Sequence, residues 1–184
     1  MKLQIGSSAR DTATAVELDD QTAQSPMHVY IAGSTEGNIR GAGLPSNSDA
    51  WIAKINTQTK EIAWTRRYSS PRRDTAVDLA FDGSRIIMLI ESTDEETGLV
   101  RSPRVVAVAL ATGDFTELWN ATDDTFDRSA GGLTLDGTNI YVHGRAASPI
   151  TGAKTDIGTT GGGLYVTKLT SNATSATEQW TQHW

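Results

Sequence analysis

The chain has 184 residues, of which 38% are hydrophobic and 21% are charged, a composition typical of globular proteins and not of disordered or fibrous ones. Its formal net charge of −6 argues against a nucleic-acid partner, because phosphate binding needs clustered Lys and Arg. The absence of cysteine excludes disulfides and thiolate metal sites, and no apolar run is long enough to span a membrane as a helix.

The first unit of the chain, residues 11–68, contains four short segments rich in Val, Ile, Ala and Trp. Such residues favour strands, and the Gly, Ser, Asn and Asp between them favour turns. The first segment begins with Asp11-Thr-Ala and ends with Asp19, and the third begins with Asp49-Ala-Trp. We therefore predict four β-strands in this unit.

Two further units repeat the same order of segments, in residues 74–122 and 128–184. Asp82 and Asp136 end the first segment of these units, as Asp19 does in the first. An aspartate just before a turn can accept backbone N–H bonds, so we interpret all three as structural. The differences in length between the units fall in the loops.

Repetition of a four-stranded unit predicts an all-β fold of three four-stranded antiparallel β-propeller blades. No segment has a sustained helical period. Propellers close with about four to eight blades, so we expect these three to be part of a larger or oligomer-completed propeller. Three blades alone leave two apolar sheet faces exposed.

Both ends of the chain align with one strand of the repeat. Residues 1–5 and residues 180–184 each correspond to residues 64–68, the last strand of the first unit. Two hypotheses follow: further blades of a longer chain complete the ring, or a second copy does so. An open arc that stacks into filaments is a third. The extra first strand favours the longer chain.

The first unit resembles the SBBP family of β-propeller repeats, through Asp11-Thr-Ala, Val29-Tyr-Ile-Ala-Gly33, Asp49-Ala-Trp and Ala63-Trp-Thr. The second unit departs from that pattern with Ile87-Met-Leu-Ile90. Its third strand and following Trp are also similar to the tryptophan-docking repeats of quinoprotein-type propellers. Both resemblances imply a propeller, and the SBBP resemblance implies a secreted or surface protein. Neither implies a chemistry, because one fold serves many functions.

Aromatic residues recur at fixed places in the units. Trp64, Trp119 and Trp180 each lie in a last strand, so we expect them to cover the junctions between blades. Trp51 and Tyr165 lie in third strands. An exposed aromatic ring there could stack on a sugar or a partner, but packing within a half-buried sheet is the favoured interpretation.

The sequence contains no convergent catalytic set. Its three histidines lie far apart in the chain with no companion at fixed spacing, at His28, His143 and His183. The weak candidates for a calcium site are the carboxylates of one loop, Asp123, Asp124 and Asp127, because calcium needs several oxygen ligands around a turn. Asn120 and Asn172 begin N-glycosylation sequons.

These observations favour a non-catalytic β-propeller segment, extracellular or on the cell surface, that acts as a scaffold, adhesion or partner-binding module. We expect no cofactor. The expected partners are other β-propeller blades, from the same longer chain or from a second copy, and a protein or glycan ligand. The alternative is part of a propeller enzyme, a quinoprotein-like oxidoreductase or a glycan-active hydrolase, whose axial site is completed by other blades.

Overall fold

The computed structural model describes residues 3–19, 28–41, 47–94, 100–121, 127–147, 154–155 and 162–184. All regular structure in these residues is β, which confirms the predicted fold class. None of these residues belongs to a helix that could cross a membrane. The strands are β1 (Asp11–Leu18), β2 (His28–Thr35), β3 (Asp49–Asn56), β4 (Ile62–Tyr68), β5 (Arg73–Phe81), β6 (Arg85–Thr93), β7 (Arg101–Ala109), β8 (Phe115–Asn120), β9 (Arg128–Asp136), β10 (Asn139–Ala146), β11 (Lys154–Thr155), β12 (Gly163–Ser171) and β13 (Ala176–His183).

The strands form three sheets in chain order. Sheet 1 has the order β1-β2-β3-β4 and sheet 2 the order β5-β6-β7-β8, with antiparallel neighbours throughout. Sheet 3 has the order β9-β10-β12-β13, also antiparallel, and the two-residue β11 adds in parallel to the outer edge of β13. The prediction of three four-stranded antiparallel sheets is therefore confirmed. The short parallel strand is an addition that the sequence did not indicate.

The sheets are stacked face to face, with sheet 2 in the middle. Strand β5 contacts β1, β2 and β3, and strand β9 contacts β5, β6 and β7. We call the face of each sheet that points toward the next sheet in the chain its front, and the opposite face its back. One apolar core lies between the front of sheet 1 and the back of sheet 2, and another lies between sheets 2 and 3.

Burial on both faces explains the sequence of β6. The five residues 86–90 are all buried, with Ile86, Met88 and Ile90 in the first core and Ile87 and Leu89 in the second. A strand covered on both sides is apolar throughout, whereas a strand with one open face alternates. The departure of this unit from the repeat pattern thus reflects its central position.

Each first strand contains a bulge at the same position. One extra residue interrupts the pairing of β1, β5 and β9 with its neighbour, at Thr14, Val77 and Gly131. A bulge bends the strand and leaves groups free to bond elsewhere. The Thr14 hydroxyl uses this freedom to donate to the Ala76 carbonyl at 2.5 Å, which ties the first strands of sheets 1 and 2 together.

The Asp-Thr-Ala segments begin with an aspartate that anchors the preceding turn. Asp11 accepts from the Ser7 backbone N–H at 2.6 Å and from the Thr35 hydroxyl at 2.6 Å. Asp74 accepts from the Ser70 backbone N–H at 2.9 Å and, at 2.5 Å, from the hydroxyl of Ser92 in β6. The carboxylate therefore fixes the entry into the first strand against the second strand of the same sheet.

Candidate interaction surface

A cluster of Tyr30, Lys54 and Trp64, here called the Tyr30 cluster, closes the junction between sheets 1 and 2. The Tyr30 and Trp64 ring centroids are 5.8 Å apart, and the Lys54 ammonium lies 5.5 Å from the Tyr30 ring centroid. The Tyr30 hydroxyl donates to Asp19 at 2.9 Å, and Asp19 also accepts from the backbone N–H of His28. Burial raises the pKa of the Tyr30 hydroxyl, and the hydrogen bond to Asp19 raises it further.

The next sheet covers this cluster with the turn between β7 and β8. The Leu110 carbonyl accepts from the Lys54 ammonium at 2.9 Å and from the Trp64 indole N–H at 3.2 Å. Gly113 adopts a φ of 77°, and a Cβ at that residue would lie 2.9 Å from the Trp64 ring. A side chain at this position would therefore force the turn away from the indole. The junction needs a free carbonyl and a glycine in the covering turn.

At the junction between sheets 2 and 3, an arginine in place of a lysine donates to backbone carbonyls of the next sheet's turn. Arg85 donates to the Asn172 carbonyl at 2.8 Å and to the Ala173 carbonyl at 2.9 Å, both in the turn between β12 and β13. Asp82 orients the guanidinium at 2.7 Å and accepts backbone N–H bonds within its own turn. In both closed junctions, cationic side chains of one sheet bind carbonyls of the next sheet's last turn.

Trp119 differs in register from the other two tryptophans. Trp64 is paired with Lys54 and Trp180 with Lys168, at equivalent positions of their sheets. Trp119 is paired with Val105, two residues earlier along the third strand, because the segment from Gly113 to Trp119 is two residues longer than that from Lys60 to Trp64. It packs against the core between sheets 2 and 3.

Small residues fill the place of the tryptophan in sheet 2. Thr116 is paired with Ala107, where sheet 1 has Trp64 and Lys54. A cleft of about 910 Å³, lined in part by Thr116 and Ala107, remains between sheets 2 and 3. The three tryptophans thus all lie on front faces of their sheets, but they are not interchangeable.

Sheet 3 repeats the Tyr30 cluster, and no other sheet of the described residues lies in front of it. Tyr141, Lys168 and Trp180, here called the Tyr141 cluster, have ring centroids 6.3 Å apart and an ammonium 5.7 Å from the Tyr141 ring centroid. The Trp180 side chain is 42% exposed. Among the described residues, neither the Lys168 ammonium nor the Trp180 indole N–H has a hydrogen-bond acceptor, in contrast to their counterparts in sheet 1.

The rest of this front face is exposed as well. Leu164 corresponds in register to Ala50, and Val166 corresponds to Ile52. Ala50 and Ile52 are completely buried beneath sheet 2, whereas Leu164 is 59% exposed and Val166 lies at the surface with Trp184. The exposed apolar side chains and the Tyr141 cluster form one continuous surface, which we call the open front face of sheet 3.

The back of sheet 1 is the second open face. Val16 and Leu18 are 65% and 42% exposed, although the equivalent Leu79 of sheet 2 is buried beneath sheet 1. Ile5 packs on part of this face against the small buried cluster around Trp51. Both open faces that three blades were predicted to leave are therefore present.

Two buried carboxylates lie close together where sheets 1 and 2 meet. Burial raises the pKa of Asp74, and the neighbouring charge of Asp49 raises it further. Burial also raises the pKa of Asp49, although Arg67 donates to it at 2.6 Å. Both side chains are completely shielded from solvent, so they are placed for structure and not for contact with a dissolved substrate.

The histidines do not converge. His28 lies 3.2 Å from Asp19 in sheet 1, His143 is exposed in β10, and His183 is fully buried in β13. No group of three or more His, Cys, Asp or Glu side chains in the described part of the chain is arranged to hold a metal ion. The described residues therefore supply no assembled catalytic or metal centre.

The remaining predicted site residues have structural contacts where they are described. Asp127 is held by Arg101, which donates from its guanidinium at 2.6 and 2.7 Å, so the carboxylate forms an ion pair. Asp123 and Asp124 lie outside the described residues. Asn120 donates to Glu117, and Asn172 accepts backbone N–H bonds within its own turn.

The third-strand aromatics are buried and contribute no binding surface. Trp51 donates its indole N–H to the Thr12 and Ser34 carbonyls, both at 3.1 Å. Tyr165 donates its hydroxyl to the Ser129 carbonyl at 3.1 Å. Both aromatic side chains therefore pack within their sheets, which was the favoured interpretation of the sequence.

Comparison with known proteins supports the fold and not an activity. No known family model matches the sequence, and no curated protein matches it. Among solved structures, a mutant of the apocarotenoid oxygenase from Synechocystis is similar, with a TM-score of 0.50 and 8% sequence identity over 92% of this chain. This chain spans 39% of the length of that protein. The likeness is consistent with β-propeller blades.

Proposed function

We propose that this chain is a non-catalytic β-propeller segment that acts as a scaffold and partner-binding module through its open sheet faces. The observation that carries the proposal is the Tyr141 cluster. It duplicates a cluster that is covered in sheet 1, yet its tryptophan is 42% exposed. Exposed apolar patches of this kind mark interaction sites.

The proposed partners are other blade-like sheets, belonging either to a longer chain or to a second copy. Further contacts with a protein or glycan ligand are part of the same proposal, with adhesion as one outcome. The proposed location is extracellular or at the cell surface, supported by the resemblance of the first unit to SBBP repeats.

The alternative function is that of a propeller enzyme whose axial site is completed by other blades. No specific contact in the described residues favours it. The scaffold function is therefore the better supported of the two.

Site-specific cross-linking in the cells that produce the protein tests this proposal. A photoreactive benzoylphenylalanine replaces Leu164 on the open front face, and a matched variant carries it at Thr177, which is exposed at the outer edge of sheet 3. We expect cross-links from position 164 to a peptide with the four-stranded repeat pattern, identified by mass spectrometry. Equal cross-linking at the two positions, or none at position 164, would contradict the proposal.

A further inference from the structure

We infer that the open front face of sheet 3 binds the last hairpin turn of a blade-like sheet that is not a second copy of sheet 1. The first residue of the turn that fits has a backbone carbonyl that is free to accept a hydrogen bond. Its fourth residue is a glycine in the left-handed conformation. This inference rests on the proposed partner-binding function and names the partner's recognition element.

The first support is the repeated use of one kind of bond. Lys54 and Trp64 bind the Leu110 carbonyl of sheet 2, and Arg85 of sheet 2 binds the turn carbonyls of sheet 3. Lys168 and Trp180 have the same positions in sheet 3 as the first pair has in sheet 1. An ammonium and an indole N–H that point the same way select a carbonyl oxygen.

The second support is the shape of the covering turn. Ala109 to Asp114 form a tight turn in which the Gly113 N–H donates to the Ala109 carbonyl at 2.8 Å. A Cβ at Gly113 would lie 2.6 Å from the Arg66 side chain as well as against the Trp64 ring. Only glycine lets the backbone come this close, so a turn that covers Trp180 in the same way also needs glycine there.

The third support is that sheet 1 has the wrong turn. Its hairpin end has the same hydrogen bonds, with the Lys60 N–H donating to the Asn56 carbonyl at 2.9 Å. Lys60 takes the place of Gly113 at a φ of 64°, so this turn carries a side chain where the indole would lie. The Lys60 ammonium also donates to the Thr57 carbonyl, which corresponds to that of Leu110.

Sheet 1 of a second copy is excluded for another reason. Ile5 already packs on the back of sheet 1, against Trp51 and Ile31. The spacing from Ile5 to Asp11 matches that from Tyr68 to Asp74, so Ile5 corresponds to Tyr68. In a head-to-tail pair, Trp184 of the other copy would compete with Ile5 for its position on the back of sheet 1. The occupant is therefore a sheet with a sheet-2-like turn.

Binding of a designed turn to the full chain tests the inference. The probe is a cyclised peptide that carries residues 106–117, which include the turn between β7 and β8. The indole N–H signals of the ¹⁵N-labelled full chain are followed by NMR, with the Trp180 signal assigned through Trp180→Phe. We expect a saturable downfield shift of the Trp180 signal and no shift at Trp64, whose N–H is already bonded.

Matched variants distinguish this recognition from non-specific binding. A peptide with Gly113→Asn keeps a residue that tolerates positive φ but adds a Cβ, and we expect it to bind at least tenfold more weakly. Lys168→Met in the full chain should weaken binding of the original peptide at least threefold. Equal affinity of the two peptides would overturn the inference, and so would the absence of a shift of the Trp180 signal when the original peptide is added. A shift of that signal on addition of unlabelled full chain, without any peptide, would also overturn it. The cross-linking result at position 164 is independent of all three.

Discussion

The front faces of sheets 1 and 3 carry the same cluster of tyrosine, lysine and tryptophan, but only the first is covered. In sheet 1 the lysine and the tryptophan share one carbonyl acceptor, and the apolar residues beside them are buried. In sheet 3 the same positions hold larger or exposed side chains, such as Leu164 and Trp180. The comparison shows that sheet 3 keeps the cluster of sheet 1 although no described sheet covers it.

The largest expected effect comes from charging equivalent positions on the two faces. Ile52→Lys buries an ammonium under sheet 2, and we expect it to lower the free energy of unfolding by at least about 4 kcal/mol. Val166→Lys places the same charge on the open face, with a cost below about 1 kcal/mol. Urea unfolding monitored by circular dichroism measures both. Equal losses would mean that the front of sheet 3 is not open.

A smaller difference is expected for the two tryptophans. Trp64→Ala removes a half-buried ring and a hydrogen bond to Leu110, so we expect a loss of about 2 to 3 kcal/mol. Trp180→Ala removes a ring without a covering sheet, with an expected loss of about 1 kcal/mol or less. Thermal unfolding of the two variants sharpens the comparison. A larger loss for Trp180→Ala would contradict it.

The smallest expected effect is a difference in pH dependence between the two anchoring aspartates. Burial raises the pKa of Asp11, but the hydrogen bonds from Ser7 and Thr35 outweigh it and hold that pKa below its ordinary value. Stability from Asp11 is therefore present at neutral pH and is lost as the pH falls through the folded-state pKa. We expect the cost of Asp11→Asn to be largest near neutral pH and to shrink in acid.

Asp74 should show the opposite trend. Burial holds its pKa above the ordinary value, so its contribution is largest below the unfolded-state pKa and declines as the pH rises through the folded-state pKa. The cost of Asp74→Asn should therefore be larger in acid than near neutral pH. Urea unfolding of the wild type and both variants from about pH 3 to 7 measures the two trends. Parallel curves would show that both aspartates ionise alike.

The sequence predicted the elements of the fold because each unit repeats its strand and turn residues in order. It also predicted the two open faces, since three blades cannot close a ring. It placed Trp119 at a junction between blades, and the two extra residues between Gly113 and Trp119 shift the pairing of that residue with the third strand by two positions.

The bonds that close the junctions were also beyond the sequence. Arg85 donates to carbonyls of the next sheet's turn, as Lys54 and Trp64 do, but it lies at a different place in its sheet, the start of the second strand. No fixed spacing connects these residues, so only the positions of the carbonyls in the following turn reveal their common role. The ion pair of Asp127 was not indicated for a similar reason, because its partner Arg101 lies across a loop.

The repeated bulges also have a consequence for how the protein can associate. Bulges interrupt the first and the fourth strand of every sheet, the latter at Ala63, Leu118 and Gln179. A regular, flat border would invite another chain to extend the ladder, as in amyloid, and distorted borders discourage this. Growth by lateral strand addition is thereby disfavoured, and stacking of whole sheets is left as the route to a larger assembly.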